Sequence, residues 1–386
     1  MNNKLSKFKY ITFFLTGISA VSIPATANAD WSITSLGTLL GASNAVATDI
    51  NNSGQVVGYL NGGAKAFITG TNGAAMTDLL GETGSALGIN DSGQVTGHIN
   101  FNHAFITGAN GIGATDLGTL GGIRMGYPTG YSIGSAINNL GQVAGYSYVD
   151  SNFTTHAFIT GSSGVGMTDL GTLGGRESTA TDINDSGQVV GFSDPHGGGP
   201  IHAFITGPNG MGMADLGTLG GYSSSATGIN NSGQVTGIST TVTGGGSDYI
   251  AFITDANGTN MTSLGTLGGA RSYAKDINDS GQIVGWSDTA TDLAHGFLYS
   301  NGVMIDLMQL APVIEAKWAW LQPEAINDLG QIVGQGLLGD VRQAFLLSPF
   351  PIPIIVPVPE PETYVMLLAG LGLLGFMVRR RKESTV

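Results

Sequence analysis

Cysteine is absent from the 386 residues, which excludes disulfides, thiolate metal sites and a cysteine nucleophile together. Charge is scarce as well, at 11% of residues against a usual ~25%. Basic residues are rarest in the body of the chain. Between residues 30 and 358, seven Lys and Arg stand against 24 Asp and Glu, a net charge of −17. The basic footprint of a nucleic-acid binder is therefore missing, leaving cations, neutral glycans or proteins as partners. Glycine is in excess, with 63 residues, roughly twice the usual share. The hydrophobic fraction of 41% supplies a packed core and excludes disorder as the reason for that glycine. The composition predicts short strands joined by tight turns.

Both ends carry address signals. Lys4, Lys7 and Lys9 precede the apolar run 11–23, and Ala27-Asn28-Ala29 places small residues where a signal peptidase cuts. Residues 1–29 thus form a secretory signal helix read by the Sec translocon and signal peptidase, and the mature chain starts at Asp30. At the other end a Pro-rich linker, 349–357, leads to Val358-Pro359-Glu360-Pro361. An uncharged hydrophobic helix over 364–378 follows, then the basic stop Arg379-Arg380-Arg381-Lys382. Fifteen apolar residues fall short of the ~20 of an ordinary spanning helix, and the basic cluster would hold that end in the cytoplasm.

This tail, 358–382, resembles the PEP-CTERM sorting signal of exopolysaccharide-producing Gram-negative bacteria. The resemblance implies recognition at Pro359-Glu360-Pro361 by a membrane-embedded exosortase, removal of the tail, and delivery to the cell surface or matrix. A permanent membrane anchor is the alternative that the residues alone support equally.

The body is one unit written seven times. I-N-x-x-G-Q-V/I-x-G begins at Ile50, Ile89, Ile137, Ile183, Ile229, Ile277 and Ile326, in steps of 39 to 49 residues. Each unit also holds an Ala or Gly before Phe, and a copy based on LGTLGG. The unit reads as an A-T-D-I strand, an N-x-x-G turn, a Q-V-V-G-Y strand, an H-A-F-I-T strand, a G-x-x-G turn and a strand ending in LGTL. Four strands in that length match the blade of a β-propeller, so residues 30–348 are predicted to be an all-β, seven-bladed ring. An open β-solenoid is the alternative. The order of elements favours the ring: one LGTL copy, 36–39, precedes the first repeat and none follows Phe345. Pairing 36–39 beside 345–347 would complete one blade from both chain ends. The repeats resemble the HAF family of extracellular repeats, through His103-Ala104-Phe105, His156-Ala157-Phe158 and His202-Ala203-Phe204. That family is defined by its repeats, and the resemblance implies no catalytic motif.

Candidate chemistry is sparse. His103, His156, His202 and His295 share one slot with Lys65, Ile250 and Gln343, which predicts a strand-edge role; His98 and His196 sit in loops without a nucleophile or metal spacing. Three repeats open with D-I-N-x-S-G, at Asp49/Asn51, Asp182/Asn184 and Asp276/Asn278, like the start of a calcium loop. Position twelve is Leu60, Ser193 or Ser287 where a bidentate Glu belongs, and a hairpin turn accounts for all seven copies. Calcium is therefore the weaker reading, and no other cofactor is expected. LGTLGG lacks the Lys of a phosphate loop. Trp286 is expected between blades. Trp318 and Trp320, in the nonrepeating stretch 313–322, are candidate ligand-stacking aromatics, flanked by Glu315 and Glu324.

The expectation is an exported, tail-sorted repeat protein with a noncatalytic structural or binding role, exopolysaccharide being its candidate partner. The alternatives are a propeller enzyme acting on extracellular glycans or peptides, with Glu315 and Glu324 as its acids, and a scaffold docking another exported protein.

Overall fold

The computed structural model describes residues 31–39, 42–100, 103–121, 130–195, 199–241 and 248–349. The signal segment, the hydrophobic helix expected at 364–378 and His196 lie outside these. The described chain forms seven four-stranded antiparallel sheets arranged as blades of a ring. Blade 1 runs from the inside outward through Ala45–Ile50, Val56–Leu60, Lys65–Ile68 and Thr77–Asp78. Each later repeat builds the next blade in the same order. The inner strands contact one another all the way round, the first touching the last.

Closure is by the two chain ends. Blade 7 takes Trp318–Ile326, Ile332–Leu338 and Val341–Pro349 from the C-terminal side and its outermost strand, Trp31–Gly37, from the N-terminal side. Ile33 pairs with Leu347 and Ser35 with Phe345. The ring is therefore closed as the offset of LGTL predicts, with one correction. The pairing strand lies mostly upstream of 36–39: Gly37 pairs with Ala344, and Leu36 falls in a bulge between Ser35 and Gly37. The same holds in blades 3 and 4, where the outer strands Met167–Asp169 and Met213–Asp215 stop before LGTL. The two leucines of each copy instead pack against the next blade's core, as Leu36 and Leu39 do on blade 1 and Leu170 and Leu173 do on blade 4. LGTL is a blade-to-blade connector.

The core is repeated with the blades. Phe67, Phe105, Phe158, Phe204, Phe252, Phe297 and Phe345 are each fully buried on the third strand, and each faces the second glycine of its repeat across the sheet, as Phe204 faces Gly191. Glycine is required there for space. A bulge between Ala180 and Asp182 drives the inner strand toward Gly191, and a Cβ on Gly191 would stand 1.9 Å from Thr179 O. Burying seven phenyl rings contributes about 1.5–3 kcal/mol apiece.

The stretch 313–322 is no single insertion. It divides between the short helix Ala311–Glu315 and the long inner strand of blade 7. Val313 of that helix lies in the same buried cluster as Trp318, Leu321 and Phe345, with Trp31 and Ile33 of the closing strand packed against it. Among the described residues no helix is long and apolar enough to cross a membrane.

Candidate functional site

Each inner strand ends at the isoleucine of an Ile-Asn-Asx triplet, and the seven triplets line one mouth of the axial channel, a cavity of about 150 Å³. The asparagine does two jobs. Asn184 Oδ1 accepts from the amides of Ser186 (3.1 Å) and Gln188 (3.0 Å), folding its own turn. Asn184 Nδ2 donates to Gln188 Oε1 (2.9 Å) and to Asn230 O of the next blade (3.1 Å). The inter-blade bond recurs from Asn51 to Asn90 and onward until Asn327 Nδ2 reaches Asn51 O at 3.0 Å. Seven buried amides thus form an unbroken circle.

A second circle lies outside the first. Its members run Asn52, Asp91, Asn139, Asp185, Asn231, Asp279, Asp328. Each backbone amide donates to the next side chain, from Asn52 N to Asp91 Oδ1 (2.9 Å) round to Asp328 N on Asn52 Oδ1 (3.0 Å). Between carboxylates the amide nitrogens bridge: Asn139 Nδ2 donates to Asp91 (3.3 Å) and Asp185 (3.1 Å). Alternation breaks once, where Asp279 and Asp328 are neighbours.

The residues read as calcium ligands do not converge. Asp49 Oδ1 accepts from Ile50 N (2.7 Å) and Oδ2 from Ile89 N of the next blade (2.8 Å). Asp182 and Asp276 bridge to Ile229 and Ile326 in the same way. Asn51, Asn184 and Asn278 belong to the amide circle. Among the described residues no group of three or more His, Asp and Glu is placed to hold a metal. The three carboxyls are instead half-buried on the inner strands of blades 1, 4 and 6. Burial, and then the Asp276 charge, push Asp49 up to about 8. Burial raises Asp276 to about 6 and Asp182 well above the ordinary carboxylate range.

The histidine slot faces an aspartate across the sheet. His103 Nδ1 lies 2.7 Å from Asp116, His156 2.8 Å from Asp169, His202 2.8 Å from Asp215 and His295 2.9 Å from Asp306. Lys65 meets Asp78 at 2.7 Å. Where Ser263 replaces the acid, the slot holds Ile250, and in blade 7 Gln343 bonds Ser35 of the closing strand. These pairs tie the third strand to the fourth. His98 lies on the strand Val95–Ile99 and not in a loop as expected; it is half-buried, and burial lowers its pKa.

The tryptophans separate. Trp318 is buried, edge-on to Phe345 at 6.0 Å between centroids, and so belongs to the core. Trp320 lines a groove between blades 6 and 7 with Trp286, Ala294, Leu321, Gln322 and Arg342, about 390 Å³ in volume. Trp286 stacks on Tyr273 at 4.0 Å and 17°. The Arg342 guanidinium stands 5.6 Å over the Trp320 ring. Gln322 Oε1 accepts from Gln335 Nε2 at 3.4 Å. The acids named beside these tryptophans are on different elements. Glu315 is exposed at the end of the short helix, and Glu324, on the inner strand, pairs with Lys275 at 2.8 Å.

Seven four-stranded antiparallel blades around a channel, closed by strands from both chain ends, define a seven-bladed β-propeller. Two families match parts of the chain. Residues 357–382 match the PEP-CTERM protein-sorting motif, as expected from the tail, and this makes the chain an exported, tail-sorted surface or extracellular protein processed by an exosortase. Residues 218–343 match a protein family of unknown function (DUF3466). No curated protein matches in sequence. Among solved structures, an oligogalacturonate lyase in complex with manganese aligns with a TM-score of 0.51 at 10% identity, over 82% of this chain and 93% of its own. The oligogalacturonate lyase of Vibrio parahaemolyticus gives 0.51 at 8%, over 82% and 93%. A streptogramin B lyase gives 0.50 at 10%, over 83% and 98%. At these identities the likeness is one of fold.

Proposed function

We propose that the protein is a noncatalytic component of the exopolysaccharide matrix, a rigid disc that binds or spaces matrix polymer at the cell surface. The sorting motif supplies the location. The observation that carries the noncatalytic reading is the state of the channel mouth, where the asparagine and Asx side chains of all seven blades are engaged with one another. Propellers commonly present reactive polar groups at a channel mouth; here those groups act as fasteners. The likeness to the HAF extracellular repeats agrees with a repeat used for its architecture. In this reading the segment 364–378 holds the chain in the membrane until the exosortase cuts near Pro359-Glu360-Pro361.

The test is retention of the exported protein on the host's own exopolysaccharide, measured by co-sedimentation, with intact mass giving both processed ends. Recovery of the chain only from the cytoplasm refutes the reading. So does turnover of matrix polysaccharide that disappears in the Glu315→Gln/Glu324→Gln variant.

A further inference from the structure

We propose that the groove between blades 6 and 7 is a subsite for a carboxylate-bearing sugar, in which Trp286 and Trp320 stack on the ring and Arg342 pairs with its acid. This rests on the matrix reading and gives it a ligand class.

Residues shared by seven blades build blades; those that depart in one blade are free to serve something else. Six residues before the repeat's isoleucine, the other repeats carry Asn44, Thr83, Tyr131, Glu177, Ser223 and Arg271 where blade 7 has Trp320. Three residues before the phenylalanine, Arg342 has Ala294 as its counterpart in blade 6, and Ala294 is the small wall that opens the groove. The position of Trp286 is filled by Gln335 in blade 7. The seam between these two blades therefore holds two indoles, a guanidinium and an amide.

Their chemistry suits a sugar acid. Indole faces carry negative quadrupole density that attracts the polarised C–H face of a pyranose. A guanidinium offers a planar fork of N–H donors matched to a carboxylate. Lys65, Arg271 and Lys275 are each held by a protein carboxylate at 2.7–2.8 Å. Arg342 has no ion pair among the described residues, is exposed, and is steadied against Trp320. Gln322 lines the groove and has its oxygen engaged by Gln335, which leaves its amide N–H groups available to sugar hydroxyls. The volume, about 390 Å³, lies in the ~300–1,000 Å³ range of small-ligand sites. The acidic body does not forbid an anion here, because charges beyond ~8 Å are largely screened at physiological ionic strength.

The experiment is calorimetric titration of the exported protein with a mannuronate hexasaccharide and with neutral cellohexaose. The acidic sugar is expected to bind at least about tenfold tighter. Trp286→Ala and Trp320→Ala should each weaken it at least about tenfold. Arg342→Gln, an exposed change that leaves the packing alone, should erase the preference while sparing cellohexaose. Equal affinity for the two sugars, or unchanged mannuronate binding by Arg342→Gln, overturns the proposal. Should the host polysaccharide be retained equally by wild type and by the variant carrying all three changes, the groove assignment fails and the matrix reading stands. Should wild type bind mannuronate but not the host polymer, the reverse holds.

Discussion

Replacing Asn184 tests whether the amide circle holds the blades together or only shapes seven separate turns. Asn184→Ala strips the acceptor from the Ser186 and Gln188 amides and the donor from Asn230 O, all in a position that is 3% exposed. Each buried partner left unsatisfied costs about 1–3 kcal/mol, so a loss of about 4 kcal/mol is expected. Unfolding entropy is ~2.1 cal/mol/K per residue, or ~0.7 kcal/mol/K for a ring of roughly 320 residues. The melting midpoint should therefore fall by ~6 °C. Asn184→Asp is the sharper variant. Its carboxylate still accepts from Ser186 and Gln188, so the turn survives, but an oxygen now confronts Asn230 O across the blade boundary. If the inter-blade bond matters, this variant loses about 2–4 kcal/mol at neutral pH and recovers as acid protonates the new carboxyl and restores a donor. Urea denaturation of wild type and both variants across pH reads this directly. Asn184→Asp matching wild type at neutral pH would refute the claim that the circle couples blades.

Two further outcomes follow from the core and the channel. The folded state holds protons on Asp49 to about 8 and Asp276 to about 6, whereas an unfolded carboxyl releases them above about 3.8. The stability tied to these protons is complete below about pH 4 and is lost as pH rises through 6 and 8. Wild type should lose at least about 2 kcal/mol between about pH 5 and about pH 9, with Asp49→Asn flattening the upper part; parallel curves would contradict this. Gly191→Ala sets a methyl 1.9 Å from Thr179 O. It should cost more than about 4 kcal/mol and sharply reduce surface yield, measured by immunoblot of the exported fraction.

The blade count and the closure were legible because repetition exposes them: seven copies each of three elements, one copy displaced across the chain ends. The exact closing strand was not, since LGTL is apolar enough to pass for a strand, and only packing shows its leucines filling the wedge to the next blade. The histidine–aspartate ties left a trace that comparison of repeats would find, with Ile250 accompanying Ser263 and Gln343 accompanying Ser35. The Ser35 partner becomes visible only once the ring is closed. The tryptophans misled for a geometric reason. Residues two apart on a strand share a face, so Trp318 and Trp320 read as a pair, but a register shift between them turns one into the core and the other to the groove. Asp49, Asp182 and Asp276 resembled ligands because a half-buried carboxylate that bridges two backbone amides and one that grips a cation look alike in sequence.

The outer circle of Asn and Asp has a parity. Strict alternation of donor and acceptor side chains closes only on an even number, and seven is odd, so one like pair is forced; it falls at Asp279 and Asp328. Without blade 6 the series would read Asn52, Asp91, Asn139, Asp185, Asn231, Asp328 and alternate without fault. The polar pattern is thus best satisfied by six or eight blades, and the wedge packing of Phe, Gly and LGTL, with the strand shared by the chain ends, imposes seven against it. One consequence is a landmark: in a molecule of near-identical sectors, the doubled carboxylate marks a single direction, at the boundary of the same two blades that form the groove.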